Sequence, residues 1–361
     1  MRITAGDVAD LAAGATLLGS GGGGETTNAA AMLRHVLTRH GPVTLVDAGE
    51  LEPEAWVAPV ACIGAISVMV ERPPGGPEFR DALRTLEDHL GGKIAAVHGL
   101  EAAGANALIP VAAAAWSGLP LVDADGMGRA FPGVGQTVFN LAGLPCAPVV
   151  LSEPSGAKVI ITDTDDAGVE RLCRAALPAL GGWAATAGFA MRAAESRTHA
   201  LPGTIGFAVT LGRALRRAQR DPADRDKLLT EASGRRLFTG TVLQVRQRGR
   251  GGATHGTVTV EHAVTRERTM RLEMADEYLL ALDDGAVAAR VPDIIAVLHS
   301  RTWLPISIEA IAPGQHVDVL RLPAPAALET PEAAALVGPA AFGLDLPGDA
   351  RDAGAAGRDD A

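Results

Sequence analysis

The sequence predicts an α/β N-terminal domain, with a mostly parallel sheet and flanking helices, followed by a helical segment and a smaller β-rich C-terminal domain. Up to residue 162, short β-rich runs alternate with stretches of helical periodicity, which is typical of a parallel sheet covered by helices. Helical periodicity then dominates residues 166–233. From residue 235, short alternating strands are separated by Gly or Asp-Asp-Gly turns, as in a small sheet or partial barrel.

In chain order, apolar residues at helical spacing predict helices and short β-rich runs predict strands. The predicted helices cover residues 5–18, 26–39, 78–90, 102–116, 166–179 and 203–219. Strands of the first domain are predicted at 43–47, at two places around Gly64 between 57 and 70, at 94–97, in the run that ends at Asp123 and, last, at 158–162. The C-terminal strands are GTVLQV, GTVTVE, TMRLEM, YLLAL, VAARV and HVDVLRL.

These elements divide the chain into domains at residues 1–165 and 166–345. The tail over 346–361 is rich in Gly, Ala and Asp and is predicted to be disordered.

The composition argues against several classes of partner. The formal net charge is −10, whereas nucleic-acid binding needs a basic surface. The cluster of Arg213, Arg216, Arg217 and Arg220 fits the solvated face of a helix, and the Arg/Gly stretch 246–252 is interpreted as a hairpin tip. No uninterrupted run of ~20 apolar residues and no basic-then-apolar leader occurs. We therefore expect no nucleic acid, no membrane contact and a cytoplasmic location.

The three cysteines, Cys62, Cys146 and Cys173, are odd in number and far apart in the sequence. A disulfide framework or a thiolate zinc site is therefore not expected. Cys62 lies in an apolar strand, where an inert buried thiol is the rule, and Cys146 has no activating neighbour in sequence. Neither is predicted to be a nucleophile.

Four consecutive glycines, Gly21, Gly22, Gly23 and Gly24, precede the second helix. The spacing is that of a P-loop, but Glu25 stands where the phosphate-binding lysine belongs, so nucleotide hydrolysis is not expected. A helix rather than a strand precedes the run, which disfavours a dinucleotide fingerprint. The run is predicted to bring backbone N–H groups close to a ligand at the N-terminus of the next helix. The alternative is a tight turn that needs positive φ.

Polar side chains follow two predicted strands of the first domain. Glu101 and Asn106 follow one, and Asp123, Asp125 and Arg129 follow the other, where α/β sheets bind ligands. The two aspartates are candidates for a general base or for ligands of a divalent metal, although no companion metal-ligand spacing is present. A turn at Asp125-Gly126 is expected to bring both into one cleft. Arg129 is a candidate to orient them or to bind an anionic group. The alternative is a structural Asp–Arg pair.

His98 and Thr204 are further candidates for substrate binding. His98 precedes the Glu101 loop, and a lone histidine at a strand end is more often a local hydrogen-bonding residue than a catalyst. Thr204 begins a helix and either faces the same cleft or simply caps that helix.

Several segments together resemble the S-methyl thiohydantoin desulfurase family, which is often found beside hydantoinase/oxoprolinase-type proteins. They are LLGSGGGGETTN, EAAGANALIP, GLPLVDADGMGRAFP, LPGTIGFAVTLGRA, ARVPDIIAVL and VGPAAFGLD, and the resemblance covers about residues 3–346. The sequence departs from the family pattern at four places: Thr26-Thr27 in place of a Pro, Ala102-Ala103 in place of Gly-Gly, Gly206 in place of a Ser, and Asp276-Glu277 in place of Asn-Glu.

The resemblance implies an enzyme that converts a thioether-bearing hydantoin-like ring to a hydantoin and a thiol. Asp123 or Asp125 would activate water, directly or through a metal; Arg129 or the glycine run would hold developing charge; Glu101 and Asn106 would bind the ring's amide edge. The alternative is a non-catalytic binding or accessory subunit of a hydantoinase/oxoprolinase-type partner. The expected partner is a small heterocyclic substrate, and self-association is left open.

Overall fold

The structure, a computed structural model, describes residues 1–250, 253–344 and 346. The described strands form a nine-stranded mixed sheet, a seven-stranded antiparallel sheet and a two-stranded pair. The predicted fold class, an α/β domain followed by a β-rich domain, is confirmed. The predicted tail, apart from residue 346, and residues 251 and 252 of the predicted hairpin tip lie outside the described residues.

Helices flank the first sheet and connect its strands. Those of the described residues are α1 (Val8–Leu18), α2 (Thr26–His40), α3 (Ile66–Glu71), α4 (Pro77–Leu90), α5 (Ile109–Ser117), α6 (Val138–Leu141), α7 (Asp166–Ala176), α8 (Ala193–His199), α9 (Thr204–Arg220), α10 (Arg225–Glu231) and α11 (Pro331–Val337).

The strands before residue 203 are β1 (Arg2–Ile3), β2 (Val43–Val46), β3 (Trp56–Gly64), β4 (Ile94–Gly99), β5 (Leu121–Val122), β6 (Ala124–Asp125), β7 (Val149–Ser152), β8 (Lys158–Ile161), β9 (Trp183–Ala187), β10 (Met191–Arg192) and β11 (Leu201–Pro202). The later strands are β12 (Arg235–Arg250), β13 (Ala253–His262), β14 (Thr269–Ala275), β15 (Glu277–Asp283), β16 (Ala286–Arg290), β17 (Ile294–His299) and β18 (His316–Leu322).

Parallel pairing occupies the centre of the first sheet. Its order is β1-β2-β5-β4-β3-β9-β7-β8, with β10 also paired to β3. Strands β2, β5, β4 and β3 run parallel, and the strands on either side are antiparallel. The carboxyl ends of β3 and β4 therefore meet at the same edge, where α/β folds place ligand sites.

Three local predictions for the first domain are wrong. The second strand after Gly64 is helix α3, because Gly64 takes φ +121° and the next N–H bonds to the Gly182 carbonyl, which ends the strand. The predicted helix over 102–116 begins only at Ile109, since outside partners hold the preceding loop. Residues 158–162 are not the last strand: β9 comes from beyond residue 165 and inserts between β3 and β7.

The second sheet curls around its own core, and its outer face packs against helices of the first core. Its order is β16-β15-β14-β13-β12-β18-β17, and bulges interrupt several pairs, for example at Val242/Gln244, which bends the strands. Along β17, Ile295 and Val297 face the inner core, whereas Ile294 and Ala296 belong to the core that contains α1 and α9. The period-two alternation thus covers both faces with apolar contacts.

Helices α1 and α9 cross with their backbones in contact. A Cβ added to Gly212 would lie 1.8 Å from the Asp10 carbonyl oxygen, and one added to Gly14 would lie 1.9 Å from the Ala208 carbonyl oxygen. Real side chains cannot approach a backbone so closely, so these two glycines set the distance between the helices.

We expect Gly212→Ala to destabilise the protein, although alanine is the better helix former by about 1 kcal/mol. The added methyl group forces the helices apart and costs about 1–3 kcal/mol or more in overpacking. Thermal unfolding measures the effect. Thr210→Ala, at an exposed position of the same helix, is the control and should melt at or above the native temperature. A Gly212→Ala protein that melts as high as the control would contradict this packing.

Candidate functional site

A small, largely apolar cavity lies beyond the carboxyl ends of β3 and β4. Its volume is about 120 Å³, and its lining includes Cys62, Glu101, Asn106, Phe131 and Phe189. Few polar groups in an apolar setting are typical of a site for a small organic ligand. The cavity therefore includes two of the residues predicted from the ends of strands.

Glu101 and Asn106 are held together at this cavity. The Asn106 Nδ2 donates to Glu101 Oε1 at 2.7 Å and to the Cys62 carbonyl at 3.3 Å, while Asn106 Oδ1 accepts from the Cys62 N–H at 2.8 Å. Protein partners on β3 thus occupy the amide on both sides. Asn106 orients Glu101, and it anchors the loop to the edge of β3.

Glu101 is a buried carboxyl with a free oxygen. Burial raises its pKa to about 8, the Asn106 hydrogen bond opposes this rise, and the nearby Asp125 carboxylate adds to it. At neutral pH the group is therefore mostly protonated. Its Oε2 makes no hydrogen bond of good geometry among the residues that the structure describes, although the Phe131 N–H lies close enough to oppose the rise in pKa. A neutral carboxyl with a spare O–H is suited to give a proton to a bound ligand.

Asp125 is fully buried and binds its own backbone. Its Oδ2 accepts from the N–H groups of Ala102 at 2.6 Å, Gly128 at 2.8 Å and Met127 at 3.3 Å. Burial raises its pKa to about 6, and these bonds, together with the buried Thr204 hydroxyl beside it, oppose the rise. Asp125 joins the Glu101 loop to the turn that follows β6. Neither Asp125 nor Thr204 lines the 120 Å³ cavity.

Asp123 lies against a different element. Its Oδ1 accepts from the Gly206 N–H at 3.0 Å in the first turn of α9, and a Cβ at Gly206 would lie 2.8 Å from its Oδ2. The expected turn after Asp125 is present, since the Met127 and Gly128 N–H groups close it on the Asp125 carboxylate. It does not bring the two aspartates into one cleft, because Asp123 binds the start of α9 and Asp125 binds the Ala102 N–H.

The two aspartates do not fit a divalent metal. Backbone N–H groups already donate three hydrogen bonds to the Asp125 carboxylate and one to the Asp123 carboxylate. Within the described ranges, no group of three or more His, Cys, Asp or Glu side chains is arranged to hold a metal ion.

Arg129 is buried and points toward the second domain. Its Nε donates to the Ala130 carbonyl at 3.0 Å, and its Nη1 donates to the Asp293 carbonyl at 2.5 Å. Burial lowers its pKa to about 10, while the Glu277 and Asp293 carboxyls raise it. Its side chain thus connects the turn after Asp125 to the segment that precedes β17. Arg129 does not line the cavity that contains Glu101.

Glu277 is the buried group that the strand-end argument missed. It is 3% exposed and opens β15, against the glycine run: a Cβ at Gly22 would lie 2.8 Å from its Oε1. Burial raises its pKa well above the usual range, Arg129 opposes the rise, and Asp276 and Glu101 add to it. The only sequence signal is its place in the Asp276-Glu277 pair, where the family pattern has Asn-Glu.

The glycine run serves as a joint between segments. The carbonyl of Gly21 accepts from Ile308 N–H at 3.0 Å, and that of Gly23 accepts from Ala105 N–H at 2.8 Å. A Cβ on Gly22 would lie 2.4 Å from the Asp276 carbonyl oxygen. Glu25 caps α2 by accepting from the Thr27 and Asn28 N–H groups, so the protein's own carboxylate occupies the end predicted for a ligand. Packing accounts for Gly21, Gly22 and Gly23, and ligand binding by the run stays a prediction.

His98 makes only internal contacts. Its Nδ1 lies 2.8 Å from the Gly99 carbonyl oxygen, its Nε2 lies 3.0 Å from Ser196 Oγ, and its ring packs edge-on against Phe139. Burial lowers its pKa to about 4. The imidazole is therefore neutral at pH 7, and its contacts are those of a local hydrogen-bonding residue.

The architecture defines a two-domain protein with an α/β domain, an antiparallel second sheet and a small acid-bearing cavity beside the junction of the two. The S-Me-THD-like N-terminal domain matches residues 6–163 and the S-Me-THD-like C-terminal domain matches residues 163–349. The chain therefore belongs to the S-Me-THD-like family, and the resemblance seen in the sequence is confirmed.

A solved structure has the same fold. The X-ray crystal structure of a protein from Chromobacterium violaceum, a structural-genomics target, is 28% identical in sequence, superposes with a TM-score of 0.76, and covers 91% of this chain and 93% of that chain. No curated protein matches the sequence. Across the described ranges, every helix falls short of the length or hydrophobicity that a membrane span requires.

Asp125→Asn is expected to lower stability and leave turnover per folded molecule nearly normal. Asparagine accepts the three backbone hydrogen bonds less strongly, and its NH2 group takes the place of Oδ1, which has no partner among the described residues. These losses cost about 1–3 kcal/mol. Melting temperature and rate, measured on the same preparation, test this expectation. A variant that melts normally and loses ~100-fold in rate would instead make Asp125 the catalytic base.

Gly22→Ala is expected to destabilise the junction by about 1–3 kcal/mol, because the new methyl group meets a carbonyl that cannot move aside freely. Gly75→Ala is the matched control, since the nearest atom to its added Cβ is Pro77 Cδ at 3.6 Å. Thermal melts and ligand titrations of both variants separate the two roles. Normal melting of Gly22→Ala with lost ligand binding would favour a binding role for the run.

Proposed function

We propose that this protein is a hydrolase-type enzyme that acts on a hydantoin-like cyclic amide and converts an S-methyl thiohydantoin to the hydantoin and a thiol. The observation that carries the proposal is the buried Glu101 carboxyl, oriented by Asn106, on the lining of a small apolar cavity. Membership of the S-Me-THD-like family supports the class of substrate.

The reaction needs a proton donor beside the ring. Water adds to the ring carbon that carries sulfur, the C–S bond breaks, and the water oxygen becomes the ring carbonyl. Of the two water hydrogens, one ends on the ring nitrogen and one on the thiol. Protonation of the ring nitrogen makes the ring carbon more electrophilic, so water attacks it more readily. Protonation of the sulfur then lets it leave as a neutral thiol, which is a better leaving group than the thiolate.

Glu101 is suited to both proton transfers. In the first step, the carboxyl gives its proton to the ring nitrogen and takes one back from the attacking water. In the second step, it gives a proton to the departing sulfur while it accepts the hydroxyl proton. The low polarity around the group keeps it protonated at neutral pH before the reaction begins. Asn106 acts through Glu101 as a positioning residue, because protein partners occupy its amide.

Glu101→Gln should lose at least ~100-fold in rate, because glutamine keeps the shape and the Asn106 hydrogen bond but has no acidic proton. The native rate should fall as pH rises through about 8, where Glu101 ionises. Purified protein with S-methyl thiohydantoins, followed by thiol release, measures both effects.

Stability gives a second readout of the same group. The pKa of Glu101 is raised in the folded state, so its contribution to stability is complete at low pH and is lost as pH rises through about 8. The Glu101→Gln protein should therefore gain melting temperature relative to the native protein between pH 5 and 9. Glu170→Gln is the control: its carboxylate lines the same cavity but pairs with Arg174 at 2.5 Å, and it should lose far less rate.

The outcomes also separate an enzyme from a binding subunit. Tight binding of the ring without thiol release by the purified protein would contradict the proposed activity and favour an accessory role with a hydantoinase/oxoprolinase-type partner. A cytoplasmic location, such a partner and self-association stay predictions from the sequence.

A further inference from the structure

The three cysteines of the chain converge on the cavity that contains Glu101. Cys62 comes from β3, Cys146 precedes β7 and Cys173 lies in α7, and all three line the cavity. Met127 adds a fourth sulfur-bearing side chain to the lining. No pattern in the sequence indicated this convergence. The mechanism proposed for Glu101 uses none of these side chains.

The thiols are neutral and unreactive in this setting. Burial raises the pKa of Cys62 and Cys146 far above the usual range and that of Cys173 to about 11, so thiolate attack is disfavoured. All three are free cysteines. In the described part of the chain they belong to no cluster that could hold a metal ion. Their common property is therefore a polarizable, weakly polar surface.

Two aromatic rings complete this part of the cavity. Phe131 and Phe189 line it together with the three cysteines and Met127. The Phe189 N–H donates to the Cys146 carbonyl at 2.9 Å, and the Asp166 carboxylate accepts from the Cys146 N–H at 3.0 Å, so the backbone of this wall is fixed. Sulfur makes favourable contacts with the edges of aromatic rings. The oxygen of an ether is less polarizable than sulfur, so its contacts with the same rings are weaker.

We infer that this sulfur- and aromatic-lined wall binds the S-alkyl group of the substrate and selects a thioether over the corresponding ether. The inference rests on the proposed function and specifies which part of the cavity takes the sulfur. The Asn106 amide binds Cys62 through both its backbone N–H and its carbonyl, so the wall begins beside the pair that contains the acid. The leaving sulfur then lies within the same cavity as the group that protonates it.

The neutral state of the cysteines fits this role. A thiolate in the wall would repel the developing charge on the departing sulfur and would exchange with any disulfide that entered the cavity. A protonated thiol does neither, and it is close to a methyl group in size. Serine would offer the same shape with a stronger hydrogen-bonding group, which favours an ether or a water molecule over a thioether.

The test compares the dissociation constants of an S-methyl thiohydantoin and its O-methyl counterpart by calorimetry, in the Glu101→Gln protein so that neither ligand is consumed. We expect the S-methyl ligand to bind roughly two- to tenfold more tightly, the scale of sulfur–aromatic contacts. Adding Cys146→Ser with Cys173→Ser should bring the ratio close to one, and Met127→Leu should lower it less. Met69→Leu removes a sulfur atom from α3, outside the cavity lining, and should leave the ratio unchanged.

The outcomes distinguish this inference from the proposed function. The wall's role in selection is overturned if the ratio of the two dissociation constants stays the same in the double cysteine variant, or if the Glu101→Gln parent protein binds both ligands equally. Either result leaves Glu101 as the acid. Binding of neither ligand by the parent overturns both. In the background that keeps Glu101, the cysteine variants should retain kcat with S-methyl substrate and show the change in KM, because the thiols take no part in bond-making.

If the serine variants unfold, Cys146→Ala and Cys173→Ala are measured in their place. Alanine removes the sulfur without adding a polar group, so the ratio should fall in the same direction. A ratio that falls with serine and not with alanine would assign the effect to added polarity and would contradict a role for sulfur.

Discussion

The contact of the glycine run with two other segments is the constraint on which the junction of the domains depends. The carbonyls of Gly21 and Gly23 bond in opposite directions, one to Ile308 in the second domain and one to Ala105 in the loop after β4. Ser20 adds side-chain bonds to the Tyr278 and Ile295 carbonyls. This short stretch of backbone thus fixes the loop that contains Glu101 relative to the second sheet. A Cβ on Gly21 would lie 2.5 Å from the Tyr278 ring, and one on Gly22 would lie 2.4 Å from the Asp276 carbonyl oxygen, so either would push the segments apart.

Burial at this junction explains its unusual chemistry. Glu101, Asp125 and Glu277 all have raised pKa values because the packed segments remove them from water. The positive charge of Arg129 opposes this rise at Glu277. Three carboxyls and one guanidinium cannot all ionise cheaply in such a place. At neutral pH a pKa of about 8 keeps Glu101 mostly protonated, whereas Asp125, with a pKa of about 6, is mostly ionised. An acid ready to act is therefore a consequence of how tightly the two domains join.

The sequence predicts what depends on position along a strand and fails on what depends on long-range neighbours. Glu101 and Asn106 follow β4, so their meeting at the sheet edge could be expected. The partners of Asp125 could not, because three backbone N–H groups from folded turns claim its carboxylate. The convergence of Cys62 and Cys146 needs β9 to bring β7 toward β3, and Trp183–Ala187 gives no signal of that insertion. Likewise, Ile66–Glu71 has strand-like composition, yet the contact of Ala65 with Gly182 ends the strand before it.

None of the residues that depart from the family pattern lines the cavity that contains Glu101. Ala102 and Ala103 are fully buried, so their methyl groups fill the core under the Glu101 loop. Asp276 takes φ +60°, a conformation that aspartate shares with the asparagine of the pattern. Gly206 leaves room for the Asp123 carboxylate, which a side chain there would displace. Ala102 adjoins Glu101 in the chain, yet the hydrogen bond between Glu101 and Asn106 is formed with alanine there, so the orientation of the carboxyl does not need the glycines of the pattern.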